Sequence, residues 1–111
     1  MTVSEIAEKV DGKVAVDKPG AKVNYAYASD LLSDVMGHCG DESVLVTIQN
    51  HLNTIAVCTL AGIEVIVICH NRPVPDDMAE AAAREEVAII TTPLSQYAAS
   101  VALSSLPPSA K

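Results

Sequence analysis

The side chains best suited to chemistry stand in three short polar stretches, each directly after an apolar run. These are Gln49-Asn50-His51-Leu52-Asn53, His70-Asn71-Arg72 and Thr92-Pro93. An imidazole can move a proton, and a guanidinium can clamp a carboxylate or phosphate through parallel N–H groups. Amides and hydroxyls can orient either one. Gln49, Asn50, His51, Asn53, Arg72 and Thr92 are therefore the candidate ligand-binding residues. Each also has a plain structural use. Asn50 and Asn53 suit a turn or a helix cap, Arg72 suits a solvated loop, and Thr92-Pro93 suits a helix start with Pro at its first position. His51 has no carboxylate beside it in sequence, so an acid–base role would need one supplied by the fold.

The remaining reactive groups are dispersed. Cys39, Cys58 and Cys69 have neither CxxC nor CxC spacing, and together with His38, His51 and His70 they do not space like a zinc finger. His38-Cys39 should lie at the opposite edge of a sheet from His51, Cys69 and His70, which leaves those last three as the one composite metal site to consider. Asp30 and Asp34 stand four apart on an expected helix face, where solvation is the simpler reading. The chain contains no GxxxxGK[ST], GxGxxG or GxSxG motif, so no reaction is named by a motif and no cofactor is required.

The elements that would carry these stretches follow from periodicity and punctuation. Thr2-Val3-Ser4-Glu5 has the form of a capping box ahead of Ile6, Ala7 and Val10 at helical spacing, with a stop near Gly12. Lys13–Val16 and Val23–Ala28 read as strands separated by a Lys18-Pro19-Gly20 turn. Ser29 or Asp30 should cap a helix through Leu31, Leu32, Val35 and Met36, ending at Gly37 or Gly40. Val44–Ile48, Ile63–Cys69 and Val87–Thr91 are β-branched runs. Between them lie a helix capped by Asn53 or Thr54 and ending at Gly62, and a helix with Asp76 and Asp77 in its first turn and a Glu80–Arg84 pair. Thr92 should cap a last helix through Tyr97 and Val101, and residues 105–111 should fray. Strand and helix alternating in this way predict an α/β domain over residues 1–111. It should have three layers, a mainly parallel sheet and helices on both faces. The three polar stretches would then share the carboxyl edge of the sheet, where open α/β domains gather ligands and where helix N-termini present free N–H groups.

Composition bounds the function further. The chain has 111 residues, half of them hydrophobic, with Tyr25, Tyr27 and Tyr97 as its only aromatics and no Phe or Trp. Sixteen Ala and fourteen Val imply a core of small and branched side chains and argue against a spacious, aromatic-lined pocket. The net charge of −7 arises after residue 22, where Arg72, Arg84 and Lys111 face ten carboxylates. Without a basic stripe, nucleic acid and anionic membrane surfaces are excluded as partners. The run Leu52–Cys69 contains Asn53, Gly62 and Glu64 and changes period midway, so it is not a membrane span. Free cysteines in apolar runs and the lack of a signal peptide point to a cytoplasmic setting. A thin apolar core favours a homodimer that completes its burial across an interface.

The segments Tyr27-Ala28-Ser29-Asp30-Leu31-Leu32-Ser33-Asp34-Val35-Met36 and Val46-Thr47-Ile48-Gln49-Asn50-His51-Leu52-Asn53 resemble the DRTGG domain family. Agreement continues through Arg72-Pro73 and Ile89-Ile90-Thr91-Thr92-Pro93, over roughly residues 3–104. The resemblance implies a regulatory α/β domain that pairs with itself, like those within phosphotransacetylases and between CBS domains of some inorganic pyrophosphatases. Free-standing members encoded near iron-only hydrogenase components suggest a second reading, a metal or iron–sulfur accessory protein of redox metabolism. A protein-interaction domain with a purely structural rim is a third. The literal Asp-Arg-Thr-Gly-Gly string is missing, and Gln49–Asn53 occupies its turn. His70-Asn71-Arg72 stands where many members have Gly-Gly-Arg, which removes the residues that most easily adopt φ > 0 and let a phosphate approach the backbone. The expected function is a non-enzymatic regulatory or ligand-sensing module, homodimeric, taking a small anionic metabolite or nucleotide at the strand carboxyl edge.

Overall fold

The computed structural model describes residues 1–111. In chain order the elements are α1 (Val3–Lys9), β1 (Lys13–Val16), β2 (Tyr25–Ala28), α2 (Leu32–His38), β3 (Ser43–Thr47), α3 (Leu52–Ala61), β4 (Val65–Ile68), α4 (Asp76–Arg84), β5 (Ala88–Thr91) and α5 (Gln96–Ala102). The five strands form one sheet in the order β1-β5-β4-β3-β2. β2 to β5 are parallel, in registers that include Ala28↔Val46, Thr47↔Ile68 and Ile68↔Thr91. β1 runs antiparallel to β5, with Lys13 opposite Thr91 and an irregularity between Val14 and Val16. β2 thus becomes a fourth parallel strand, and its carboxyl end joins the edge where β3, β4 and β5 finish.

Strand alternation sorts the core by side-chain size. Val44, Val46, Val65, Val67, Ala88 and Ile90 face α1 and α5. Leu45, Ile66, Ile68 and Ile89 face α2, α3 and α4. The sheet is therefore covered on both faces, as parallel strands require, with a finer Val/Ala layer on one side and a Leu/Ile layer on the other. Tyr25 and Tyr97 are exposed, and half-buried Tyr27, opposite Leu45, packs against the margin of the Leu/Ile layer. The Cα radius of gyration is 11.9 Å, below the ~13 Å usual for this length, because small side chains let the helices lie close to the sheet. Gly12 extends that closeness to the α1–β1 turn, where a Cβ would stand 2.7 Å from the Thr91 carbonyl oxygen.

Several helix ends differ from expectation. The Thr2–Glu5 capping box forms, with Glu5 N–H donating to Thr2 Oγ1 at 3.2 Å and Thr2 N–H to Glu5 Oε1 at 3.0 Å. Gly62 closes α3 in the left-handed conformation, with φ 75°. α2, however, begins after Leu31 with no side-chain cap, since Asp30 turns away to another partner, and Gly37 lies inside the helix. Asp30 and Asp34 accordingly share no helix face. His51, not Asn53 or Thr54, occupies the N-cap of α3, and Thr54 instead donates to the Gln49 carbonyl at 3.0 Å. α5 starts later than Thr92, with Ser95 as its cap, because Thr92 is drawn into the core. Arg84 reaches Glu85 at 3.7 Å rather than Glu80, a solvated contact of little energetic weight.

The expected fraying of residues 105–111 is corrected most plainly. Ala26 N–H donates to the Pro107 carbonyl at 3.0 Å, Ser109 N–H donates to the Ala26 carbonyl at 2.8 Å, and Pro108 bridges Ala26 in parallel fashion. The open edge of β2 thereby gains partners for its unpaired backbone groups. Buried Ser109 also joins Ser43 Oγ at 2.5 Å and accepts from Gly40 N–H at 2.9 Å. Two prolines announce a helix stop, but they cannot announce this docking, which depends on a strand eighty residues upstream in the chain. Replacing Ser109 with Ala strands the Gly40 N–H and should lower unfolding stability by about 1–3 kcal/mol. Urea denaturation checks this, with hydrogen exchange at Ala26 N–H expected to accelerate in the same variant.

Candidate functional site

The carboxyl edge of β2–β5 collects Ser29 and Asp30, Gln49–Asn53, Cys69–Arg72 and Thr92–Gln96, as parallel topology demands. Asp30 is its organising group. Its Oδ1 accepts from Thr47 Oγ1 at 3.0 Å, from Ile48 N–H at 2.9 Å and from Gln96 Nε2 at 3.0 Å, while its backbone carbonyl accepts from Gln49 Nε2 at 2.8 Å. One carboxylate thus ties the end of β2 to the β3–α3 turn and to the start of α5. Asp30 and Gln96 are rim residues that sequence reasoning missed. The signal for Asp30 was available, because it follows β2 as directly as Gln49 follows β3. Gln96 had no such signal, since only the folded chain brings α5 beside Asp30.

A second hydrogen-bonded unit sits beside the first. Buried Asn50 accepts from Arg72 Nη2 at 3.0 Å and donates through Nδ2 to the Pro73 carbonyl at 2.7 Å, so both ends of its amide are engaged. Arg72 itself remains exposed. Thr92 is fully buried, where its hydroxyl donates to the Val10 carbonyl and accepts from Leu94 N–H at 3.1 Å. Asn50 and Thr92 therefore act as struts, whereas His51, Asn53 and Arg72 are the expected rim residues left exposed to solvent. Gln49, half-buried, is spent on Asp30. None of the surface grooves is lined by Asn50, His51, Arg72 and Thr92 together.

The β4–α4 turn departs from the glycine argument in an instructive way. His70 and Asn71 both adopt positive φ, 59° and 50°, so the loop keeps a left-handed pair without either glycine. Its amides are nevertheless committed: His70 N–H donates to the Leu94 carbonyl at 2.9 Å and Asn71 N–H to the Thr92 carbonyl at 2.8 Å. With Arg72 N–H donating to the Cys69 carbonyl at 3.3 Å, His70, Asn71 and Arg72 have no backbone donor left for a phosphate. The four helix starts at this edge differ in the same respect. α5 is capped by Ser95, α4 carries Asp76 and Asp77 in its first turn, and the Leu31 amide before α2 already donates to Ser29 Oγ. α3 alone has neither a side-chain cap nor an acid in its first turn, and the amides of His51, Leu52 and Asn53 donate to no protein group. The free α3 amides, the helix dipole and His51 thus occupy one helix start, and Arg72 is tethered to Asn50, the residue before His51.

Elsewhere the reactive groups are muted. The three cysteines are free and buried. Desolvation pushes the Cys58 thiol up to about 12 and the Cys69 thiol up to about 11, and raises Cys39 as well, so none is a ready thiolate. His51 is exposed while Cys69 is buried, and no three His, Cys, Asp or Glu side chains converge as a metal site. At the side of the sheet, Tyr27 donates its hydroxyl to Asp34 Oδ2 at 2.7 Å, and His38 Nδ1 lies 3.1 Å from Asp34 Oδ1. The hydrogen bond to Asp34 holds the Tyr27 phenol up at about 12, and donation from Tyr27 lowers the Asp34 carboxyl.

Two predictions follow from these contacts. Asp30→Ala strands Ile48 N–H, the Thr47 hydroxyl and the Gln96 amide, and should cost about 2–4 kcal/mol in denaturant unfolding. A loss below ~0.5 kcal/mol would show that Asp30 does not organise the rim. For Tyr27, the raised folded value means that its contribution is fully present below the unfolded value near ~10 and is lost as pH rises through about 12. Ultraviolet phenolate titration should show one of the three tyrosines ionising near about 12. Asp34→Ala should bring that transition back towards ~10.

No protein-family model and no curated protein matches the sequence. Among solved structures, the fold is shared by the regulatory region of Clostridium perfringens pyrophosphatase, which comprises CBS and DRTGG domains in complex with the activator diadenosine tetraphosphate. The TM-score is 0.71 at 12% identity, with 96% of this chain aligned. The match spans 47% of that chain, so this protein corresponds to about half of the region. At this identity the likeness speaks to architecture, and it agrees with the mixed five-stranded sheet between two helical layers: the protein has a DRTGG-like fold.

Proposed function

We propose that the protein is a non-enzymatic regulatory module that works as a homodimer and senses a small anionic metabolite or nucleotide. The anion would be held at the start of α3. The observation that carries this reading is the uncapped, acid-free N-terminus of that helix beside exposed His51 and a guanidinium oriented by Asn50. An anion there receives backbone N–H groups and the positive end of the helix dipole, the usual physics of phosphate binding. Asn53 lies in the first turn, within reach of the same point, and Asn50 and Thr92 serve by holding the loops in place. Of the candidate residues only Asn53 lines a groove, and the open site at His51 and Arg72 suits a shallow, exchangeable ligand. The pyrophosphatase region of like fold was crystallised with a nucleotide activator, which makes dinucleoside polyphosphates sensible first probes alongside ATP, acetyl phosphate and inorganic phosphate.

Thermal-shift and calorimetric titration with these compounds test the reading. A ligand at a hundred times its dissociation constant should stabilise the fold by about 2.7 kcal/mol. Arg72→Ala should weaken binding about tenfold by removing a charge-assisted contact, and His51→Ala should weaken it by a smaller factor. If millimolar ligands give no stabilisation and both variants are silent, the sensing half of the proposal fails.

A further inference from the structure

The middle helix of the Leu/Ile face is uncharged from end to end, and its outer side is open. Over Leu52–Ala61 α3 carries no Asp, Glu, Lys or Arg, and apolar residues surround its axis, the pattern of a helix covered on all sides. Its inner residues Ile55 and Cys58 are buried, yet Leu52 is 45% and Leu60 75% exposed, with Ala56 exposed between them. These three stand at i, i+4 and i+8, one continuous stripe. A groove of about 430 Å³ runs beside the stripe, between α3 and the C-terminal half of α4.

We infer that this stripe is the self-association surface of the protein, with the α3 helices of two copies packed antiparallel about a two-fold axis at Ala56. The inference rests on the homodimer reading above and names its surface. A two-fold interface must be complementary to itself, each residue i meeting j while j meets i. The outer face of α3 satisfies this in its order of residues: Leu52 and Leu60 are equidistant from Ala56, and so are Asn53 and Thr59. An antiparallel pair therefore sets Leu52 against Leu60 of the second copy and Asn53 against Thr59, which can hydrogen-bond. Ala56 at the axis permits an interaxial approach at the short end of the usual ~8–10 Å. Leu60, the most exposed aliphatic side chain of the stripe, is then the knob, and the groove beside Leu52 and Asn53 is the hole.

Charge favours the same partner and direction. The N-terminal end of α3 carries free amides, His51 and Arg72. At its C-terminal end Asp41 packs against Gly62, and Glu64, Glu85 and Glu86 stand beside the helix end, outnumbering the counter-charges Lys18 and Arg84. Asp76 and Asp77 begin α4 at the same edge, so the positive character of this end rests on the free α3 amides and the helix dipole together with Arg72. Antiparallel pairing lays the positive end of each copy over the negative end of the other. The second exposed apolar pair, Tyr97 and Val101 on α5, has no such order: the next turn is Ser104 and Ser105.

Light scattering and sedimentation should give the intact chain a mass twice its 11.6 kDa. Leu60→Glu, at an exposed site that leaves the circular dichroism unchanged, should weaken association at least ~100-fold. Ala56→Cys should cross-link to a disulfide dimer under mild oxidant, the three native cysteines being buried, whereas Val101→Cys should not. A wild-type monomer at millimolar concentration overturns both this surface and the homodimer reading. A wild-type dimer that survives Leu60→Glu, or that cross-links through Val101→Cys and not Ala56→Cys, overturns the surface and leaves the homodimer reading standing.

Discussion

Four parallel strands are stable only when both of their faces are kept from water, and every other feature of this chain follows from that requirement. Parallel pairing needs a crossover after each strand, so a helix must return over the sheet every time. Those helices can approach closely because Val and Ala line one face and Leu and Ile the other, with no Phe or Trp in the chain and Tyr27 only at the margin. The two edges are closed by unlike means: an antiparallel β1 on one side and the docked Pro107–Ser109 segment on the other.

The same topology sends every parallel strand to one edge, which concentrates loops, helix starts and polar side chains there. Most of that polarity is consumed internally. Asp30, Asn50 and Thr92 hold the loops to one another, and the left-handed His70–Asn71 pair gives its amides to the turn after β5. What remains open is the first amides of α3 together with the exposed side chains of His51, Asn53, His70, Asn71 and Arg72.

α3 joins the two proposed activities. Its beginning would hold the anion and its outer stripe would hold a second copy, and antiparallel pairing brings the partner's acidic end towards that beginning. Anion and partner carboxylates would compete for the same positive end, so ligand binding and pairing would oppose each other through a shared helix. Linkage of this kind is reciprocal, and it gives a small module without a deep pocket a way to report occupancy as assembly.

Much of this was legible in the residues alone. Alternating β-branched runs and helical periods determined the α/β class, the parallel core and the side of the sheet on which Gln49–Asn53, Arg72 and Thr92 would gather. Local rules held where the partners are local: the Thr2–Glu5 box and the Gly62 cap close within a turn. They failed where a distant group outcompeted the local one. Asp30 leaves its expected helix cap for the Ile48 amide, Thr92 gives up a cap for the Val10 carbonyl, and Ser109 leaves a fraying tail for Ser43. Which rim residues became struts and which stayed open was decided by tertiary structure alone. A short polar side chain bonds whatever donor or acceptor the fold brings within 3 Å, and sequence spacing does not record that distance.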